Sequence, residues 1–292
     1  MKFGDLDHMT LAAFMDSAPR DALWFFVHVP KTAGSSFSAE LARDMRPYTN
    51  VHIDYTRPQS DNPANRRGAV EAFIAQPDFA AHRSASGHIP MSLARGIREA
   101  RPDTQFFSIL RSPLARVVSD YRYQRTPQHP PHREFIEKFP DIAAYAEVPG
   151  TQNKMARFLT GKADPTLDET LRAADEDFAF IGLLEMYPMS FNIIFSLMGI
   201  DGKAPAEHKR KTPDTPETRV EMTPELAARI EALNATDMAL YRHVRRRLVK
   251  HRDAWKAVRR ERAVAARRAA GKRTAAPAEA GSGADVAPGD FL

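Results

Sequence analysis

Lys31 begins a short segment of small and hydroxyl-bearing residues that could hold an anion. The segment consists of Lys31, Thr32, Ala33, Gly34, Ser35 and Ser36. A lysine ammonium, serine hydroxyls and the unpaired N–H groups at the start of a helix together favour a phosphate. The ATPase loop has the order G-x-x-x-x-G-K-[ST], whereas here the lysine comes three residues before the glycine. The segment therefore predicts a phosphate site of another type or, alternatively, an ordinary turn with a surface lysine.

Arg111 is a second candidate phosphate ligand. It follows the apolar run QFFSIL at 105–110, and the Ser-Pro pair after it suits the cap and first position of a helix. The planar guanidinium of arginine matches the oxygens of a phosphate. Ser119, eight residues further on, can add a hydroxyl donor from that helix. Arg116 is expected to be a helix-surface or ion-pair residue.

Strands alternating with helices must position these residues. Nearly continuous apolar runs predict buried strands at 24–29, 105–110 and 178–184, and a shorter strand is expected at 83–86. Helices are expected at 36–45, 69–75, 113–124, 134–147, 152–160, 188–198 and from 223 to about 268, with loops at 46–68 and 201–222. This alternation predicts an α/β fold, a three-layer sandwich around a central, mostly parallel sheet. Since parallel strands end at one edge of a sheet, Lys31 and Arg111 are expected to lie close together there.

Composition excludes several classes of function. The chain has 292 residues, of which 43% are hydrophobic, and it contains no cysteine. Disulfides, cysteine-ligated zinc and thiol catalysis are therefore excluded, and a reducing compartment fits. The histidines show neither H-x-x-x-H nor H-E-x-x-H spacing, so no metal site is predicted. No apolar run reaches the roughly 18 residues that span a bilayer.

Positive charge is concentrated near the end of the chain. The net charge is +5, but residues 242–273 hold fourteen Lys/Arg and two Asp/Glu, a local +12, so the rest of the chain carries about −7. We interpret this segment as a solvated helical extension, with contact to an anionic surface or a partner subunit as the alternative. Binding to nucleic acid is not expected as the main role.

Three regions are predicted along the chain. Residues 1–21 form an N-terminal extension, residues 22–250 the main domain, and residues 251–292 a basic helical extension and tail. Beyond Gly271 the composition is mainly Ala, Gly, Pro and Ser, which is typical of disorder.

The first segment, HVPKTAGSSF, resembles the 5′-phosphosulfate loop of sulfotransferases that use 3′-phosphoadenylyl sulfate (PAPS), especially the carbohydrate branch. The second, FFSILRSPLARVVSDYRYQ, resembles the family's 3′-phosphate motif, with Arg111 and Ser119 at the matching positions. The resemblance implies a P-loop-like nucleotide-binding fold. It also implies that residues 31–36 bind the 5′ end of PAPS, and that Arg111 and Ser119 hold its 3′-phosphate.

The resemblance extends over about 22–250 to uronyl 2-O-sulfotransferases of heparan and dermatan. Matching segments are Ser86-Gly87-His88, the segment from Asn153 to Gly161, the strand and helix at 178–199, and HKRKTP at 208–213. The last implies that Arg210, Lys211 and Thr212 contact the cofactor. Asn153 and Arg157, within the matching segments, are weaker candidates. Glu185, after the third strand, is a further catalytic candidate, although a strand-end carboxylate is as often a cap or ion-pair partner.

His88 is the candidate general base that this resemblance implies, because an ordinary histidine titrates near neutrality. Some relatives have His-Gly-His where this chain has Ser86-Gly87-His88, so His82 or a histidine of the 129–132 loop is a possible assistant. His28 is expected to be structural.

The predicted reaction is sulfuryl transfer from PAPS to a hydroxyl of an acceptor, a saccharide by resemblance. The products are adenosine 3′,5′-bisphosphate and the sulfated acceptor, and no metal is needed. Lys31 would stabilise the leaving phosphate and His88 would accept the proton. A P-loop-type kinase or nucleotide hydrolase, dependent on Mg²⁺, is the alternative. Because the Golgi relatives carry an N-terminal anchor that is not recognisable here, a cytoplasmic location is expected.

Overall fold

A computed structural model describes residues 1–32, 34–52, 62–129, 131–206 and 215–274. Its strands are β1 (Trp24–Val27), β2 (Tyr48–Asn50), β3 (Ser84–Gly87), β4 (Gln105–Leu110) and β5 (Phe178–Leu183). They form one parallel sheet in the order β2-β3-β1-β4-β5. The chain runs from β1 out to β2 and β3, and then crosses to β4 and β5. The loops after β1 and β4 therefore leave adjacent strands in opposite directions, which is where such sheets bind ligands.

Helices account for most of the remaining described chain. They are α1 (Leu11–Asp16), α2 (Gly34–Asp44), α3 (Asn62–Ile74), α4 (Met91–Ala100), α5 (Pro113–Gln124), α6 (His132–Lys138), α7 (Ile142–Ala146), α8 (Lys154–Thr160), α9 (Leu167–Glu176), α10 (Tyr187–Leu197), α11 (Pro224–Leu233), α12 (Ala235–Lys250) and α13 (Arg252–Thr274). Within the described ranges, none of them combines the length and apolar character needed to cross a membrane.

Alternating side chains of the strands cover both faces of the sheet. On one face the ring of Phe26 lies 5.2 Å from Phe37 of α2, and Phe37 contacts Phe191 of α10 at 5.6 Å. On the other face Phe25 contacts Phe106 at 5.9 Å. The guanidinium of Arg98, from α4, lies over the Phe106 ring. Successive strand residues point to opposite faces, so each face needs its own layer of helices. The predicted three-layer α/β fold is confirmed.

The N-terminal residues pack onto the same core. Phe3 is buried edge-on against Phe180 of β5, with the ring centroids 5.7 Å apart. Arg247 of α12 donates from Nε to Asp7 Oδ1 at 3.0 Å and also pairs with Asp175 of α9. Residues 1–21, expected as an extension, therefore contribute apolar surface to the core.

Some predicted element bounds were wrong. The segment 46–68, expected to be a loop, contains β2 and the first turns of α3. Pro63 is tolerated in the first turn of α3 because a residue in that turn needs no backbone N–H for the helix. The helix predicted at 134–147 is divided between α6 and α7, since Pro140 disfavours helical geometry at the residue before it. The helix expected from 223 to 268 is interrupted at Asn234 and His251. Residues 275–292 of the predicted tail lie outside the described ranges.

Candidate functional site

The loop after β1 forms the first corner of the site. Lys31 has a φ of 71°, a left-handed conformation that is uncommon for a residue with a side chain. Thr32 is buried, and its hydroxyl donates to the carbonyl of Val29 at 2.8 Å. Helix α2 then begins at Gly34, so its first N–H groups are presented at the carboxyl edge of the sheet. Ala33 lies outside the described residues, whereas Ser35 is exposed and Ser36 is buried in the first turn.

Gly34 is required by a neighbouring imidazole. A Cβ added at this position would overlap the ring of His28, which stacks on Phe26 with a centroid distance of 5.3 Å. Burial, followed by the charges of His88 and Lys31, holds the pKa of His28 well below its usual value. The ring is thus neutral and fills the space between β1 and the start of α2.

The end of β4 forms the second corner and touches the first. Arg111 Nη1 donates to the carbonyl oxygen of Lys31 at 3.3 Å. Burial lowers the pKa of Arg111, and the negative charge of Glu185 opposes that shift. Glu185 Oε1 accepts from the backbone N–H of Ser112 at 2.8 Å, so this carboxylate serves as a cap at the same corner. The two predicted phosphate ligands therefore stand side by side on adjacent strands.

A buried ion cluster lies on α5 beside Ser119. Asp120 Oδ2 accepts from Arg116 at 3.2 Å and from Lys154 of α8 at 3.0 Å. Burial alone would raise the pKa of Asp120, but the charges of Lys154 and Arg116 and the weaker one of Lys31 hold it at about 2. Arg116 is an ion-pair residue, as expected, although it is fully buried and not on the surface. Ser119 itself is partly exposed on the same helix.

Sequence reasoning missed Asp120 and Lys154. The four-residue spacing of Arg116 and Asp120 is a recognisable helical ion pair and could have indicated the first of them. Nothing local indicated that Lys154, from a different helix, would complete the cluster.

His88 follows β3 and has a fixed tautomer. Its Nδ1 lies 2.7 Å from the carbonyl oxygen of His28. Because a carbonyl only accepts, Nδ1 carries the proton and Nε2 of the neutral ring keeps a lone pair. Burial lowers the pKa of His88 to about 4, the hydrogen bond to His28 opposes this, and the charges of Arg66 and Lys154 add to it. The ring is therefore neutral at pH 7 and can accept a proton at Nε2.

His82 and His129, two of the candidate assistants of His88, lie in different parts of the structure. His82 precedes β3, at the opposite end of the strand from His88, and its ring is held by Asp78 O at 3.0 Å and by Thr49 Oγ1 at 2.6 Å. It is therefore not placed to assist His88. His129 lies near the first corner, with its ring 6.0 Å from that of Tyr123 on α5.

Asn153 links α8 to α12 through two hydrogen bonds. It adopts a left-handed conformation with a φ of 46° just before α8. Its N–H donates to Asn234 Oδ1 at 3.0 Å, and its own Oδ1 accepts from the N–H of Asp237 at 3.1 Å. These bonds attach α8, and with it Lys154, to the start of α12. Arg157 is partly exposed on α8.

Arg210, Lys211 and Thr212 lie outside the described residues. Within the described ranges, no group of three His, Asp or Glu side chains is arranged to hold a metal ion.

No family model matches the chain, and no curated protein matches it. Among solved structures, the chain is similar to mouse sulfotransferase SULT7A1 complexed with PAP, with a TM-score of 0.34 and 17% sequence identity. The similar region covers 76% of this chain and 66% of that one, just under two thirds.

Proposed function

We propose that this protein binds PAPS and transfers its sulfuryl group to a hydroxyl of an acceptor. The observation that carries the proposal is the 3.3 Å contact from Arg111 Nη1 to the carbonyl of Lys31. It joins the two corners that the sequence motifs assign to opposite ends of one nucleotide. Residues on separate surfaces could not serve one ligand in this way.

The corner after β1 suits the 5′-phosphosulfate. The first turn of α2 offers backbone N–H groups, Ser35 and Ser36 offer hydroxyls, and Lys31 offers a positive charge. The corner after β4 suits the 3′-phosphate, which Arg111 and Ser119 would hold. Arg111 is partly desolvated, which strengthens a charge-assisted hydrogen bond relative to one in water.

Sulfuryl transfer is an in-line displacement at sulfur. The acceptor oxygen forms a bond to sulfur while the bond from sulfur to the 5′-phosphate oxygen breaks. The hydroxyl proton passes to Nε2 of His88, and the bonding electrons leave with adenosine 3′,5′-bisphosphate. Lys31 stabilises the charge that develops on the leaving phosphate, and such preorganised charges are a main source of catalysis. No residue of this scheme requires a metal.

The low pKa of His88 is compatible with this role. The value is about 4 because the ring is buried and because Arg66 and Lys154 are near. A bound donor brings several negative charges to the same edge of the sheet. Those charges favour the protonated imidazole and raise its pKa towards neutrality, where a general base is most effective.

The acceptor we propose is a saccharide. This assignment rests on the resemblance of HVPKTAGSSF, residues 28–37, to the carbohydrate branch of the family, and of Ser86-Gly87-His88 and residues 153–161 to uronyl 2-O-sulfotransferases. A panel of acceptors, comprising uronic acid and hexosamine oligosaccharides and small hydroxylated metabolites, identifies the class.

Transfer of ³⁵S from labelled PAPS tests the proposal. We expect transfer in the presence of EDTA, since no step needs Mg²⁺. Lys31→Ala and His88→Ala should each lower turnover by about 100-fold or more, the usual effect of removing one such group. Normal turnover in Lys31→Ala would remove the leaving-group role. Hydrolysis of ATP that depends on Mg²⁺, without sulfuryl transfer, would instead support the kinase or hydrolase alternative.

A further inference from the structure

The ammonium of Lys31 packs against an aromatic ring. Its Nζ lies over the ring of Tyr123, 3.8 Å from the centroid. This distance is well inside the roughly 6 Å within which a cation is attracted to an aromatic face. The sequence motifs assign no role to Tyr123.

The two ends of this contact are both held by the fold. On one side, the backbone of Lys31 is fixed by its left-handed conformation and by the hydrogen bond from Arg111. On the other side, Tyr123 lies in the last turn of α5, where its carbonyl accepts from the N–H of Thr126 at 3.0 Å and from the hydroxyl of Thr126 at 2.7 Å. These bonds fix the backbone that carries the Tyr123 ring.

Tyr123 lies on α5 one turn from Ser119, the proposed 3′-phosphate ligand. Tyr123 comes four residues after Ser119, so the two side chains lie on the same face of the helix, one turn apart. Asp120, on the same helix, is influenced by the Lys31 charge. The ammonium thus lies between the loop after β1 and α5, the two elements that the proposed function assigns to the 5′ and 3′ ends of the nucleotide.

We infer that Tyr123 is a positioning residue that orients Lys31 for the 5′-phosphate of the nucleotide, and this inference rests on the proposed function. A lysine side chain has four rotatable bonds and loses considerable entropy when it is fixed. The aromatic face restricts that freedom before the nucleotide arrives. An aliphatic residue at position 123 fills similar space but cannot attract the cation.

Two measurements on five proteins test the inference: wild type, Tyr123→Leu, Tyr123→Phe, Lys31→Met and the double variant Lys31→Met/Tyr123→Leu. The first is the NMR shift of the Lys31 ε-methylene protons in the nucleotide-free protein, which a ring face moves upfield. We expect that upfield shift in wild type and in Tyr123→Phe, and its loss in Tyr123→Leu.

The second measurement is calorimetric titration with adenosine 3′,5′-bisphosphate, which needs no acceptor. Tyr123→Leu should weaken binding about 5-fold, within the range expected for a cation–π contact, and Tyr123→Phe should restore it. In the Lys31→Met background, Tyr123→Leu should have no further effect, because the cation is already gone. A purely structural role of Tyr123 would give the same loss in both backgrounds.

The outcomes separate this inference from the proposed function. If wild type does not bind the nucleotide, the proposed function fails and the inference fails with it. If wild type binds but Tyr123→Leu binds equally well, or if the Lys31 protons show no upfield shift in wild type, the inference alone is overturned.

Discussion

His88 makes the stability of this protein sensitive to acid, and the size of the effect follows from its surroundings. Its pKa is about 4 in the folded protein and 6.5 in a model peptide. Below pH 6.5 the unfolded chain takes up a proton at this residue that the folded protein does not. Acidification therefore favours unfolding, and the stability that the neutral ring provides is lost as the pH falls from 6.5 towards 4.

The magnitude can be worked out from these two values. Their difference of about 2.5 corresponds to about 3 kcal/mol of unfolding free energy once the pH is below both. Linkage gives a loss of about 2 kcal/mol between pH 7.5 and pH 5. Part of the His88 side chain reaches solvent, so these figures are upper limits.

Urea denaturation at pH 7.5 and pH 5 measures this loss in wild type and in His88→Asn. Asparagine keeps a donor near the position of Nδ1, so the hydrogen bond to the His28 carbonyl can persist, but it does not titrate. The variant should lose about 2 kcal/mol less than wild type over this pH interval. His8→Asn, at an exposed position, is the control and should follow wild type. Equal pH dependence of wild type and His88→Asn would refute the account of a buried neutral imidazole.

Two further predictions concern the scaffold of the site. Gly34→Ala should destabilise the protein by about 1–3 kcal/mol in thermal melts and weaken nucleotide binding, because the new methyl group overlaps the His28 ring. The control is Gly68→Ala, on an open face of α3. In the same melts this variant should be neutral or stabilising by up to about 1 kcal/mol. Asp120→Asn should cost about 3 kcal/mol in urea denaturation, because it leaves the guanidinium of Arg116 buried without its carboxylate. A cost below about 1 kcal/mol would show that other groups satisfy Arg116.

The strands that carry the site were predictable because they are buried on both faces. Apolar residues dominate the runs 24–27, 105–110 and 178–183. Short runs of this kind are typical of strands buried on both faces of a parallel sheet. The meeting of Lys31 and Arg111 followed from the same prediction, since parallel strands bring their carboxyl ends to one edge. Strand β2 was missed because its three residues lie at the edge of the sheet and carry no apolar pattern.

The ion cluster of Asp120, the tautomer of His88 and the contact of Lys31 with Tyr123 depend on segments that are distant in sequence. Lys154 joins Asp120 only because Asn153 fixes the start of α8 against α12. The tautomer of His88 depends on a carbonyl sixty residues away, which no local pattern reveals. The place of the Lys31 ammonium on Tyr123 likewise depends on how α5 packs beside the loop after β1.

Calorimetric titration of adenosine 3′,5′-bisphosphate into wild type, Arg111→Ala and Arg260→Ala tests the central claim most directly. Arg260 is an exposed arginine of α13, so its removal changes the charge equally at a position outside the site. We predict binding to wild type and Arg260→Ala, and a loss of about 10-fold or more in Arg111→Ala, as expected for a charged hydrogen bond to phosphate. Absence of binding to wild type, or equal affinity of Arg111→Ala and wild type, would contradict the claim that two adjacent strand ends hold one nucleotide.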